Sequence, residues 1–303
     1  MRTSVKLTAY AAGLVVVFGA AAGAGRVLGP DNEAAPPAAA HAEPGHGGDH
    51  PPAPAVPGGL QVAQDGYRLT PVTTRLSTRK PSAFEFKILG PDGQPVTKYQ
   101  MNHDKELHLI LARRDLSGFQ HVHPALGPDG TWSIPLAVRT AGQYRIFADF
   151  QPAGHDQLTL GVDVPAPGDY QPRPLPAPAV VTEVDGYFVT LGGTLAPGAS
   201  SELTFTVAKD GETVTDLEPY LGASGHLVAL RDGDLAYLHV HPIDEKSLAF
   251  AAEVPSAGVY RLYLDFKHGG KVHTAEFTAV TAGAEAPVQA PPTGHGADGH
   301  THN

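Results

Sequence analysis

One unit occurs twice in this chain, and that duplication limits what it can fold into more than any other feature. His-Val-His-Pro stands at 121–124 and again at 239–242. Each copy has a further histidine thirteen residues upstream, His108 before His121 and His226 before His239, so all three histidines repeat at an offset of 118. The match runs well beyond the motif. Asp65-Gly66-Tyr67 corresponds to Asp185-Gly186-Tyr187, and Phe84-Glu-Phe-Lys-Ile to Leu203-Thr-Phe-Thr-Val. Gly142-Gln-Tyr-Arg-Ile-Phe-Ala-Asp-Phe corresponds to Gly258-Val-Tyr-Arg-Leu-Tyr-Leu-Asp-Phe, with the offset drifting only between 120 and 116. Whatever one half folds into, the other folds into as well.

Within each copy, short alternating segments are separated by Gly, Pro, Asp and Asn turn signals about every eight to twelve residues, the spacing of an all-β sandwich or barrel. About seven strands are expected in the first copy, near 67–75, 83–89, 106–113, 119–123, 131–138, 143–150 and 157–164. No segment sustains a helical period. The Gly-x-Tyr at Tyr144 and Tyr260 fits the tyrosine corner that opens a late strand of immunoglobulin-like sandwiches. The expected fold is all-β: two tandem immunoglobulin-like β-sandwich domains from an internal duplication, preceded by an N-terminal signal or anchor segment.

Composition sets the boundaries. Residues 1–28 read as a signal peptide or membrane anchor: Arg2 and Lys6, an uncharged run from Leu7 to Ala22, then the small residues Ala22-Gly23-Ala24. Anchoring through residues 7–28 is the alternative to cleavage, and either places the remainder outside the cytoplasm. Residues 29–58 form an Ala/Pro/His-rich tether of disordered character, 59–167 the first repeat, 168–178 a Pro-rich linker, 179–282 the second repeat and 283–303 a disordered tail. The absence of cysteine excludes disulfides, thiolate metal sites and a nucleophilic cysteine. A formal charge of −10 disfavours nucleic acid as a partner and favours cations.

Strand alternation then sorts the side chains. In Tyr144 to Phe150 the even-numbered positions are uniformly apolar and belong in the core, which turns Arg145, Phe147 and Asp149 away from it. Arg261, Tyr263 and Asp265 behave likewise in the second copy. Leu107, Leu109, Leu111, Val122 and Val240 are core positions, so the intervening histidines lie on the opposite face. Two outward patches are expected: His108, His121, His123 with Asp149, and His226, His239, His241 with Asp265. Three imidazoles and a carboxylate suit Zn(II) or Cu(II), and the carboxylate could instead fix a histidine tautomer. A strand histidine can equally be structural, donating to a backbone carbonyl, and a duplication copies such residues too. The two stripes Arg145-Phe147-Asp149 and Arg261-Tyr263-Asp265 read as surface dressing, with a binding stripe as the alternative. His103 has no counterpart, since Leu221 occupies that position, and His155, His268 and His273 are possible accessories. His41, His46, His50, His295, His300 and His302 give the two tails the pattern of flexible metal-scavenging tracts, with a solvated low-complexity tail as the alternative.

The segment Leu221-Gly-Ala-Ser-Gly-His-Leu-Val-Ala-Leu-Arg, followed by Leu235-Ala-Tyr-Leu-His-Val-His-Pro, resembles a group of uncharacterised bacterial exported or membrane-anchored proteins linked to heavy-metal handling. The resemblance covers residues 60–282. In fold class and location the chain is also similar to periplasmic copper-resistance sandwiches and YtkA-like domains. Phe119-Gln-His-Val-His is superficially similar to Cu/Zn superoxide dismutase, but the chain has no cysteine and no recognisable zinc loop.

No hydrolase, phosphate-loop or zinc-protease motif is present. The function expected is a non-enzymatic, exported copper- or zinc-binding buffer or carrier, whose capture weakens below about pH 6 as imidazoles protonate. The alternative is a structural or interaction module of displayed immunoglobulin-like domains, and the third class a copper or zinc metalloenzyme.

Overall fold

The computed structural model describes residues 56–238 and 240–284, so His239, the tail histidines and the expected export signal lie outside the described residues. The described residues contain strands and no helix. In the first repeat one sheet runs β1 (Ala63–Gln64), β2 (Tyr67–Pro71), β3 (Ser82–Leu89), β7 (Thr131–Leu136), β6 (Ala125–Leu126). The facing sheet runs β5 (Gln120–Val122), β4 (Leu107–Arg113), β8 (Gly142–Phe150), β9 (Leu158–Ala166). The second repeat reproduces both. Its first sheet is β10 (Val181–Val184), β11 (Tyr187–Gly192), β12 (Ser200–Lys209), β17 (Ala249–Glu253), β16 (Val240–Pro242), with β13 (Glu212–Thr213) added on β12. Its second sheet is β15 (Tyr237–Leu238), β14 (Gly225–Arg231), β18 (Val259–His268), β19 (Lys271–Val280). The order β2-β3-β7-β6 against β5-β4-β8-β9 is that of an immunoglobulin-like sandwich.

The alternation places the cores as expected. Phe84, Phe86 and Ile88 of β3 pack with Trp132, Tyr144, Ile146, Ala148 and Phe150 in the first. Leu203, Phe205 and Val207 of β12 pack with Tyr260, Leu262, Leu264 and Phe266 in the second. Both tyrosine corners close: Tyr144 Oη donates to Thr140 O at 2.8 Å and Tyr260 Oη to Ser256 O at 2.8 Å. Either Tyr→Phe change removes one donor from a part-buried carbonyl, at about 1 kcal/mol. For a unit of this size that lowers Tm by roughly 2–4 °C, which thermal melts of Tyr144→Phe and Tyr260→Phe will check.

The sheets carrying β4 and β14 have a second buried face. β4 is buried along its whole length. Ile110, Ala112 and Phe147 of the first repeat join Val228, Leu230, Tyr237 and Tyr263 of the second in an apolar cluster between the sandwiches. Two loop leucines at left-handed φ, Leu116 and Leu235, complete it. Phe119 stacks on Tyr263 with centroids 3.9 Å apart and planes 7° apart, and Phe147 meets Tyr237 at 5.7 Å. Phe119 and Tyr237 are repeat counterparts, as are Phe147 and Tyr263. Exchanging the repeats therefore exchanges the two contacts, as in a two-fold symmetric dimer interface.

This corrects the surface reading of the two stripes. Arg145, Phe147, Arg261 and Tyr263 do point away from their own cores, yet Phe147 and Tyr263 are 0 % exposed and both arginines 8 %. Alternation shows which side of a sheet a residue is on, but not whether that side meets water.

A short backbone strap crosses the seam. Gly58 O accepts from Tyr237 N at 2.9 Å, Gly59 N donates to Thr159 O at 2.7 Å, and Gly161 N donates to Gln61 O at 2.8 Å. Arg145 caps the strap, its Nε and Nη2 reaching Gly59 O at 3.1 and 2.5 Å. Only glycine fits at 161, where a Cβ would stand 2.0 Å from Gly59 O. Gly58, assigned by composition to the tether, is thus already part of the fold.

Candidate metal centre

The register across β4 and β8 sets His108 opposite Asp149, and across β14 and β18 sets His226 opposite Asp265. His121 sits in β5 opposite Ile110, and His123 follows two residues on. Period-two geometry brings His121 and His123 to one side, where they meet His108. The ligand atoms of His108, His121 and His123 all lie within 4.8 Å of one another. His108 Nδ1 is 3.0 Å from His121 Nε2 and 3.2 Å from His123 Nε2. A tetrahedral ion with metal–nitrogen bonds of about 2.0–2.1 Å separates its nitrogens by roughly 3.3–3.4 Å, and both separations from His108 Nδ1 lie within a few tenths of an ångström of that spacing.

The proton positions follow from the outer contacts. His108 Nε2 lies 3.0 Å from Asn102 O, which only accepts, so Nε2 carries the hydrogen and Nδ1 presents its lone pair inward. His121 Nδ1 lies 2.9 Å from Asp265 Oδ2, so Nδ1 donates and Nε2 faces inward. The single lone pair of His108 Nδ1 is thus approached by two nitrogens. One proton can bridge one pair and leaves the other nitrogen unmatched, whereas a metal ion accepts from all three. His108 is 4 % exposed, so water does not relieve the conflict.

The structure changes the expected grouping. There are not two outward patches among the described residues. The ring of His226 lies 4.8 Å from His121 and, nearly parallel at 7°, 5.4 Å from His108. Asp265, grouped by sequence with the second patch, bonds to His121 of the first. Asp149 Oδ1 accepts from Gln157 Nε2 at 2.9 Å and Thr159 Oγ1 at 3.1 Å. His241 is exposed, unlike its counterpart His123, and His239 lies outside the described residues. The physical reason is the apolar seam: with the two β4-type sheets facing one another, His226 and Asp265 of the second repeat meet histidines of the first. His155 packs against Tyr67, while His268 and His273 contact Tyr187, away from the cluster.

His103 is the residue that sequence reasoning set aside. It stands in a turn at φ 47°, matching Leu221 at φ 56°, with its ring 5.4 Å from His226 and 6.2 Å from His108. The available signal was its position, five residues before His108 and next to Asn102, whose carbonyl orients that histidine.

Burial, reinforced by the neighbouring His121, lowers His108 to about 4 and His123 to about 3. His226 is pushed well below its ordinary value by burial and then by the surrounding imidazoles. In the unfolded chain these groups protonate near 6.5. Between the two values the unfolded state binds more protons, so stability is fully present above about pH 6.5 and declines as pH falls towards 4. Each histidine contributes a slope of up to about 1.4 kcal/mol per pH unit. Melts of the metal-free protein from pH 8 to 4.5 should show a flat Tm above 6.5 and a falling one below.

The strand order and the seam define a class: tandem immunoglobulin-like sandwiches packed face to face, with a trihistidine cluster between them. The chain belongs to the family described as Domain of unknown function (DUF8832), which matches it twice, at residues 61–171 and 182–283. No curated protein matches the chain. Similar solved structures include the BSP domain of a biofilm-associated protein, at 14 % identity over 72 % of this chain and 30 % of that one (TM-score 0.22). Invasin, a bacterial integrin-binding protein, is similar at 16 % identity over 73 % and 40 % (TM-score 0.21). A marsupial T cell receptor is similar at 13 % identity over 71 % and 96 % (TM-score 0.21). The chain thus spans well under half the length of the first two.

Proposed function

We propose that this protein is an extracytoplasmic metal-binding protein that holds one Zn(II) or Cu(II) ion between its two immunoglobulin-like domains, with His108, His121 and His123 as ligands. One observation carries the reading: three inward-facing imidazole nitrogens at 3.0 and 3.2 Å, two of them with their protons committed elsewhere. An all-nitrogen, sulfur-free set favours Zn(II) or Cu(II) over Cu(I). The role is buffering or delivery without catalysis. No helix among the described residues is long and apolar enough to cross a membrane, and export rests on the N-terminal signal pattern.

A second reading has its own support. The apolar cluster between the sandwiches joins them without any ion, which suits an interaction module in which the histidines only pack. Calorimetric titration of the full chain with Zn(II) or Cu(II) separates the two. The metal reading expects one tight, submicromolar equivalent above weak tail binding, and its absence in His121→Ala. A wild-type isotherm indistinguishable from that of His121→Ala would leave the interaction module.

A further inference from the structure

We infer that Asp265, from the second repeat, is the positioning residue of the metal centre in the first, so that the centre reaches its full affinity only when the repeats are docked. The inference rests on the metal reading and adds the partner that makes the site competent. His121 needs Nδ1 protonated to present Nε2, and the carboxylate that holds that proton comes from the other repeat. Asp265 Oδ2 does so from across the seam at 2.9 Å, with side chains 1 % and 4 % exposed. The carboxylate is itself fixed, since Thr274 Oγ1 donates to its Oδ1 at 2.6 Å from the neighbouring strand β19.

The register sharpens the point. His121 is bonded to the carboxylate that lies opposite His226, while the residue opposite His108 is Asp149. Repeat 1 supplies the ligands and repeat 2 orients one of them. A buried carboxylate also favours a cation nearby, because a buried charge is costly unless paired. Carboxylates hydrogen-bonded to metal-bound histidine fix the tautomer and raise ligand basicity, and removing one typically weakens binding 10- to 100-fold. Metal binding and repeat docking are then reciprocally coupled.

The test uses the full chain and Zn(II) measured against a competing chelator. Asp265→Ala is expected to weaken the tight equivalent about 10- to 100-fold. Asp265→Asn keeps an acceptor oxygen in reach of His121 and should restore most of it. Asp129→Asn, which removes an exposed carboxylate paired with Lys87, should leave affinity unchanged. Ring-15N spectra of the metal-free protein at pH 7.5 give an independent readout: His121 Nδ1 protonated in the wild type, tautomers mixed in Asp265→Ala. Affinity within twofold of wild type in Asp265→Ala overturns the positioning role and leaves the metal reading standing. A wild-type protein lacking the tight equivalent removes the metal reading, yet the 15N spectrum still reports on the contact. If Asp265→Ala does not fold, the wild-type spectrum decides: an unprotonated Nδ1 on His121 overturns the inference.

Discussion

His108→Leu is expected to raise the stability of the metal-free protein while abolishing tight metal binding. Most core substitutions destabilise, so the sign itself is diagnostic. His108 holds a lone pair against two other nitrogens in a nearly dry site, and burial already pushes its protonation down to about 4. Leucine removes that conflict at similar volume. Asn102 O keeps the bond it accepts from Lys105 N at 3.1 Å, and the two nitrogens that faced His108 Nδ1 lose a contact that could match only one of them. A gain of about 1 kcal/mol, or roughly 2–4 °C in Tm, is expected. Losing one of three ligands should cut Zn(II) affinity by at least about a hundredfold. Added Zn(II) then stabilises the wild type and not the variant. A melt with and without the ion reads both effects, and a variant less stable than the metal-free wild type would mean the histidine is a structural core residue.

Tyr263→Ala should bring the largest loss of stability. The ring is fully buried, stacked on Phe119, and its hydroxyl donates to Leu116 O at 2.5 Å. Deleting it opens a cavity in the seam and orphans a carbonyl, at about 3–5 kcal/mol. Each sandwich retains its own core, so calorimetry should resolve one cooperative transition into two. Tyr263→Phe, which keeps the ring, should cost only about 1–3 kcal/mol and preserve the single transition. Because Asp265 lies two residues along the same strand, Tyr263→Ala should also weaken metal binding.

Much of the fold could be read from residue order, because each sandwich records its inner face in every second residue. Tyr144, Ile146, Ala148 and Phe150 fixed one side of β8, and Gly-x-Tyr marked the corner. What stayed hidden is which faces meet. Phe147 and Tyr263 look like stray surface aromatics when each repeat is read alone. The cue was present in Leu107-His-Leu-Ile-Leu-Ala-Arg, a run too apolar to have a wet side, and in Val228 and Leu230 at the matching positions. The histidines were found because His-x-His is local. Their pairing with Asp265 was not, since 144 residues separate it from His121 and no periodicity links two faces that touch only after folding.

The two-fold relation between the repeats has a consequence for how the protein can vary. Two identical subunits would have to carry every substitution in duplicate, so a residue useful on one side of the axis would appear on the other, wanted or not. Joined in one chain, the halves are released from that constraint. His103 and Leu221 occupy the same left-handed turn, yet one brings an imidazole to the cluster and the other a hydrocarbon. Covalent fusion makes such an unequal pair heritable, and lets one half carry the three clustered histidines while the other carries the carboxylate that orients one of them.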